Sequence, residues 1–259
     1  MVKDKAHWMA EMKSSLVIDC GCCAGLCCVS LYCAKVDGFP EDKKAGIPCS
    51  HLMKDFRCDI HGSLATRGLK GCLSYDCFGA GQKATEMFRS RRDWEKNPEI
   101  SDEMFRAFHG IFQLHQMKWF LLEALRLTDS QEMEEEIRTL IDWNESMTNL
   151  APKEDAAREI ESYRARVNPL LKEVINTKAA RFSKASESRD FTMAILIGSD
   201  FSRRSLGESL FLGADLRDVN VAGADLSKCH FLTQMQINSA KGDSKTKLPD
   251  GLITPEHWF

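Results

Sequence analysis

The sequence predicts a mixed α and β chain in three parts. A cysteine-rich, metal-organised module spans residues 1–83, a central helical bundle spans 84–185, and a short four-sided coil with a closing segment spans 186–259. Three observations carry this reading. Ten of the eleven cysteines lie between Cys20 and Cys77. From about residue 84 glycine becomes scarce and apolar residues recur at helical spacing. After Arg181 the apolar period changes to five, which is neither helical nor extended.

The cysteine segment contains Cys20, Cys22, Cys23, Cys27, Cys28, Cys33, Cys49, Cys58, Cys72 and Cys77, with His51 and His61 among them. Adjacent cysteines such as Cys22-Cys23 and Cys27-Cys28 pair poorly with each other, because a two-residue ring strains the disulfide. Such crowding needs several different partners or a metal. Met1 to Ser15 is charged throughout and has no apolar run of the export-signal kind. No later stretch approaches the length of apolar chain that crosses a bilayer. The expectation is a cytoplasmic chain without membrane contact, in which dense cysteine usage points to metal or redox chemistry. Nine glycines between Gly21 and Gly81, with Pro40 and Pro48, break up regular structure there, so ligands would stand in for a core.

Four thiolates suit zinc or an iron–sulfur cluster, and ten could furnish two four-ligand sites. Tight Cys-x2-Cys zinc-ribbon spacing is absent, and adjacent cysteines beside Gly and Ala fit a buried cluster. The preference is for a 4Fe–4S type cluster, with zinc the close alternative. All ten cysteines, His51 and His61 are candidate ligands, the two histidines serving equally well to orient a ligand from outside. Asp76 is a candidate for orienting the site or capping the next turn. Gly79-Ala-Gly-Gln82 lacks the Gly-Lys-Ser/Thr ending of a phosphate loop and reads as a turn into a helix.

Within Pro48 to Gln82, three elements follow the packed cysteines: Cys49 to Leu52, Cys58 to His61, and Gly71-Cys72. Together they resemble the bacterial family of zinc- or iron-chelating cysteine-rich domains. The resemblance implies metal coordination by most of the motif cysteines without fixing the metal. The first cluster departs from the pattern, running Cys-x-Cys-Cys-x3-Cys-Cys in place of Cys-x2-Cys-x2-Cys-Cys.

Ser101 or Asp102 is placed to cap a helix carrying Phe105, Phe108, Phe112, Trp119 and Leu122 and ending near Leu127. Asp129 with Glu132 forms a capping-box pattern for a second, with Ile137, Leu140, Ile141 and Met147 on one face. A third begins near Lys153 and carries Ile160, Tyr163, Val167, Leu171 and Val174, with Pro169 expected to kink or split it near Asn168. His109, His115, Glu123 and the run Glu132 to Glu136 lack the Glu-x-x-His pairs of di-iron bundles, so this bundle reads as structural.

In the last third, Phe191, Leu196, Phe201, Leu206, Phe211, Leu216, Val221, Leu226 and Phe231 fall at every fifth residue. Two positions earlier stand Arg189, Ala194, Ser199, Arg204, Ser209, Ala214, Val219, Ala224 and Cys229, which are mostly small. The pattern fits a four-sided coil with one pentapeptide per side, large residues inward and small ones beside them, Cys229 among the latter. Gly213-Ala-Asp-Leu-Arg and Gly223-Ala-Asp-Leu-Ser resemble the pentapeptide-repeat family, which implies a short right-handed quadrilateral β-helix. Solenoid ends need covers, and Leu248-Pro249 and Pro255 to Trp258 are suited to close the last coil. The helical segment before residue 191 should cover the other end.

For function, the leading expectation is a metal-binding pentapeptide-repeat protein acting as a scaffold or interaction protein. The alternative is an iron–sulfur redox or radical-type enzyme, a metal- or cluster-dependent oxidoreductase with Cys72 and Cys77 as a reactive pair. No dinucleotide loop, zincin motif or nucleophile elbow supports catalysis. A topoisomerase-protecting DNA mimic needs a long acidic rod, and Arg203, Arg204 and Arg217 on two coils do not make one. Net charge of −3 argues against a nucleic-acid partner, and exposed coil edges allow a homodimer.

Overall fold

In the computed structural model, residues 5–88, 94–150, 156–181 and 189–259 are described. Its helices are α1 (Lys5–Ser14), α2 (Leu26–Ser30), α3 (Lys70–Ser74), α4 (Ala80–Met87), α5 (Pro98–Leu127), α6 (Gln131–Leu150), α7 (Ala156–Ala180) and α8 (Gln234–Ser239). The chain forms two compact units, one of Met1–Gly62 with Cys77–Leu171 and the other of Ser63–Asp76 with Lys172–Phe259.

The first unit is built around α5. Met104, Phe108, Ile111, Leu114, Leu121, Leu122 and Leu125 are all buried, the i, i+3, i+4 stripe that seats a helix in a core. The helix starts at Pro98, ahead of the expected Ser101, because proline suits the first turn, where its missing N–H has no helical partner anyway. On α6 the cap is Ser130, one residue past the expected Asp129, and its hydroxyl accepts from the Met133 N–H at 3.3 Å. Helix α7 runs unbroken through Pro169. Ile160, Tyr163, Val167, Leu170, Leu171 and Val174 are buried on both sides of it, so burial along the stripe offsets the lost hydrogen bond. The expected start near Lys153 lies outside the described residues.

Polar pins fix these helices to one another. Tyr163 donates to the Leu140 carbonyl at 3.0 Å, while the Asn144 amide donates to the Leu114 carbonyl at 2.9 Å and to Tyr163 at 3.2 Å. Helix α1 buries no residue and is held by charge. Lys13 bonds Glu123 at 3.1 Å and lies 4.8 Å over the Trp119 ring, Lys5 bonds Glu134 at 2.8 Å, and Arg138 lies 4.4 Å over Trp8. Lys118, 1% exposed, bonds Ser15 and Glu145. Burial alone would raise the Glu123 carboxyl, but Lys13 and Arg126 outweigh it and hold the group below the usual carboxylate range.

The second unit corrects the expected mixed α and β class. Among the described residues no strand forms, so the quadrilateral β-helix is not seen. The repeats instead make a stack of turns joined by isolated parallel bridges: Asp190 to Leu210, Ile195 to Asp215, Asp200 to Asn220 and Ser205 to Asp225. Each side spends most of its five residues on a corner and offers a single residue to the neighbouring coil, too short a run for a ladder. At the corners Met193, Gly198, Arg203, Gly213, Asp218 and Gly223 take positive φ. Asp190, Asp200, Asp215, Asn220 and Asp225 each accept the N–H two residues on, which relieves a donor that the turn leaves without a ladder partner.

Inside the stack Phe201, Leu206, Phe211, Leu216, Val221 and Leu226 share one core with Ala214, Val219, Ala224 and Cys229. Burial raises the Cys229 thiol to about 12. After the last repeat, Thr233 and Gln236 form a capping box for α8, and Lys241 and Lys247 bridge back to Asn220 and Asp225. Trp258 then lies over Gly242, where a Cβ would collide with its ring, and donates to the Ala240 carbonyl at 3.0 Å. At the other end of the unit, Lys178 of α7 pairs with Glu208 at 2.9 Å.

Candidate functional site

The cysteine loops of the first unit are organised by α2. Leu26 and Val29 are fully buried, which anchors the short helix and sets Cys27 and Cys28 at its start. It opens from Gly25 at φ 69°, where a Cβ would stand 2.6 Å from Leu52 and 3.1 Å from the Phe56 carbonyl. Only glycine admits both that backbone and that approach. The next loops return to the same place. Cys33 bridges Lys43, the Cys49 N–H donates to the Cys28 carbonyl at 2.9 Å, and Leu52 bridges Cys58 across a turn closed by Met53 and Arg57.

As a result each of the thiols of Cys27, Cys28, Cys33, Cys49 and Cys58 lies within electrostatic reach of at least two of the others. Cys27 and Cys28 stand 3.9 Å apart, sulfur to sulfur. The hydrogen that Cys28 offers lowers Cys27 and raises Cys28, so the anion of this pair belongs on Cys27. Burial raises Cys33 and Cys58. Lys43 sits in the same loops, its ammonium donating to the carbonyls of Leu31 at 2.6 Å, Ile47 at 2.8 Å, Lys44 at 3.3 Å and Val29 at 3.4 Å. Its charge favours the thiolates of Cys27 and Cys33.

A second pair of thiols meets at the start of α4. Gly79 and the following residues form the turn into that helix. A Cβ on Gly81 would stand 2.7 Å from the Cys23 sulfur and 3.8 Å from that of Cys77. Burial raises Cys23. Gln82 ties the incoming chain down, accepting from the Asp19 N–H at 2.7 Å and donating to the Val17 carbonyl at 2.7 Å. Cys20 and Cys22 are exposed in a single 3-10 turn.

The other candidates take separate places. Cys72 is on α3 and Asp76, which is buried, follows it, both in the second unit. His51 pairs with Asp59 at 3.0 Å, and His61 is exposed in a short turn. Cys23, Cys27, Cys28, Cys33, Cys49, Cys58 and Cys229 are free thiols. Among the described residues, no three or more His, Cys, Asp or Glu side chains form a group that could hold a metal ion. His109 is on the outer part of α5, and burial lowers its imidazole. His115 is inside, with Nδ1 2.6 Å from the Phe78 carbonyl.

A comparison with known proteins finds the pentapeptide repeats, in eight copies, over residues 194–231. The uncharacterized protein YybG of Bacillus subtilis (strain 168) is 38% identical over 264 residues, covering 94% of this chain and 95% of that protein. The chain belongs to the YybG family. It is a pentapeptide-repeat protein. No family match supports the resemblance of its cysteine segment to the chelating domains, and no solved structure matches it. Among the described residues no helix is long and apolar enough to cross a membrane. In this YybG-family chain, sequence reasoning missed Lys43, because a lysine in a loop reads as solvated surface. It also missed Gln82, for which sequence spacing carries no signal.

Proposed function

We propose that this YybG-family chain is a metal-binding scaffold or interaction protein. The loops of its first unit take a thiophilic metal, zinc or an iron–sulfur cluster, and its pentapeptide coil serves as frame and contact surface. The observation that carries the reading is the gathering of Cys27, Cys28, Cys33, Cys49 and Cys58 into one neighbourhood from across a 32-residue span. The donor chemistry fits, since thiolates suit a soft cation and the Lys43 charge favours the thiolate form of Cys27 and Cys33. The geometry is not yet that of a closed site. Binding would therefore draw the loops inward, and metal affinity would be coupled to their folding. Cys27, favoured as the anion of its pair, is the natural first ligand.

The test is metal and acid-labile sulfide analysis, with a visible spectrum, on anaerobically purified full-length protein and on a Cys49→Ser/Cys58→Ser variant. The expected result is stoichiometric zinc or iron in the parent, lost in the variant, with the 194–231 coil still folded. A parent that holds no metal after reconstitution with either, or a variant with equal content, overturns the proposal.

A further inference from the structure

The five-residue repeat places a small residue two positions before each large one, and Arg189 and Arg204 break that rule. Both arginines line one cavity of about 320 Å³ at the first coil, with Phe191, Phe201, Leu206 and Ser209 completing most of its wall. We propose that this cavity binds a small organic anion, its charged group held between the two guanidinium groups and its flat apolar part laid on the phenylalanine rings.

The two arginines are three pentapeptides apart, hence on adjoining sides of a four-sided coil, and so converge on one corner. Arg189 is half-buried and its position is built in. Gly207 turns at φ 54°, a Cβ there would collide with Nη1 of Arg189, and that nitrogen also reaches the Leu206 carbonyl at 3.4 Å. Among the described residues its guanidinium is given this one long contact to a carbonyl, which leaves further donors of its five for a ligand. Arg204 is exposed at the rim. Asp200 is drawn to it in the electrostatics of the coil, but its carboxylate is engaged by Ser202 first. Phe191 stacks on Phe211 at 5.1 Å and tilts at 50° against Phe201 at 5.5 Å, and it is half-buried, so part of its ring lines the cavity uncovered. Two planar guanidiniums match a carboxylate or phosphate, and the volume sits at the lower end of small-molecule sites. This site lies in the second unit and does not depend on the thiol chemistry of the first.

Calorimetric titration of the full chain with phenyl phosphate tests the proposal, with inorganic phosphate and benzyl alcohol as the two half-ligands. Saturable one-to-one binding is expected for phenyl phosphate, weaker binding for phosphate and none for benzyl alcohol. Arg204→Gln should weaken phenyl phosphate by about tenfold or more, the loss of one charge-assisted contact. Arg189→Gln should do the same, and because Arg189 also packs on Gly207, its unfolding midpoint is measured alongside. Arg204 is at the surface, so its variant decides the matter even if the other fails to fold. No saturable binding of phenyl phosphate, or binding unchanged in Arg204→Gln, overturns the proposal.

Discussion

His115 should make the stability of this protein fall in mild acid. Its imidazole is 2% exposed, and Nδ1 donates to the Phe78 carbonyl at 2.6 Å, so the ring is held neutral with its hydrogen on Nδ1. Burial is the main cause that brings its pKa from 6.5 to about 4. The Phe78 bond works against the shift and the nearby Lys118 charge with it. The unfolded chain therefore binds a proton below about pH 6.5 that the folded chain refuses until about pH 4. Between those values the unfolded state holds more protons, and stability rises with pH. The contribution is fully present above pH 6.5, falls through the window and is gone below it. A displacement of about 2.5 units at 1.36 kcal/mol each amounts to about 3 kcal/mol. The assay is urea unfolding followed by tryptophan fluorescence from pH 7.5 to 4, on the parent and on His115→Gln. The difference between the two proteins isolates this group from the carboxylates that also titrate there. It should shrink by about 3 kcal/mol across the window. A difference that stays constant, or an NMR titration placing His115 near 6.5, refutes the reasoning.

Two further substitutions test the ends of the argument. Trp258→Ala removes a ring packed on Gly242 and leaves the Ala240 carbonyl without its donor, so the coil should lose about 3–5 kcal/mol in chemical unfolding; a loss under about 1 kcal/mol would show that the closing segment is not holding the stack. Gly81→Ala sets helix propensity, a gain of about 1 kcal/mol, against a Cβ 2.7 Å from the Cys23 sulfur, an overpacking that costs about 1–3 kcal/mol. Net destabilisation with faster alkylation of Cys23 is expected, and a more stable protein with unchanged labelling would contradict the close approach.

Much of the molecule was legible because it obeys a period. The stripe from Phe108 to Leu122 announced α5, and the fifth-residue rule announced which side chains share the coil core. What the period did not carry was backbone state. Five residues per side leaves room for a corner and one bridged residue, and the difference between that and a β-helix is set by φ at residues such as Met193 and Arg203. Pro169 misled for a related reason, since the local cost of proline is plain in sequence while the burial of Tyr163, Val167 and Leu171 that offsets it is distributed. The cysteines are the opposite case. They have no period, only density, and density does not partition them. Cys27 and Cys58 come within electrostatic reach although thirty-one positions separate them, while Cys72 and Cys77, five apart, belong to different units.

A strict repeat also makes its exceptions visible. Cys229 departs from the small residues chemically but not sterically, since it is buried among Ala214, Val219 and Ala224 in the coil core and its thiol is raised to about 12. Arg189 and Arg204 depart in size and charge together, where alanine, serine, valine or cysteine serves the other sides. Burial follows the same division. The large residues from Phe201 onward are 9% exposed or less, whereas Phe191 and Leu196 only pack against that core. The half-open end of the stack is thus also where the rule is broken. A frame that closes its core with small residues everywhere else has kept two cations at its loosest corner, and local rules broken without a stability gain are where binding is to be sought.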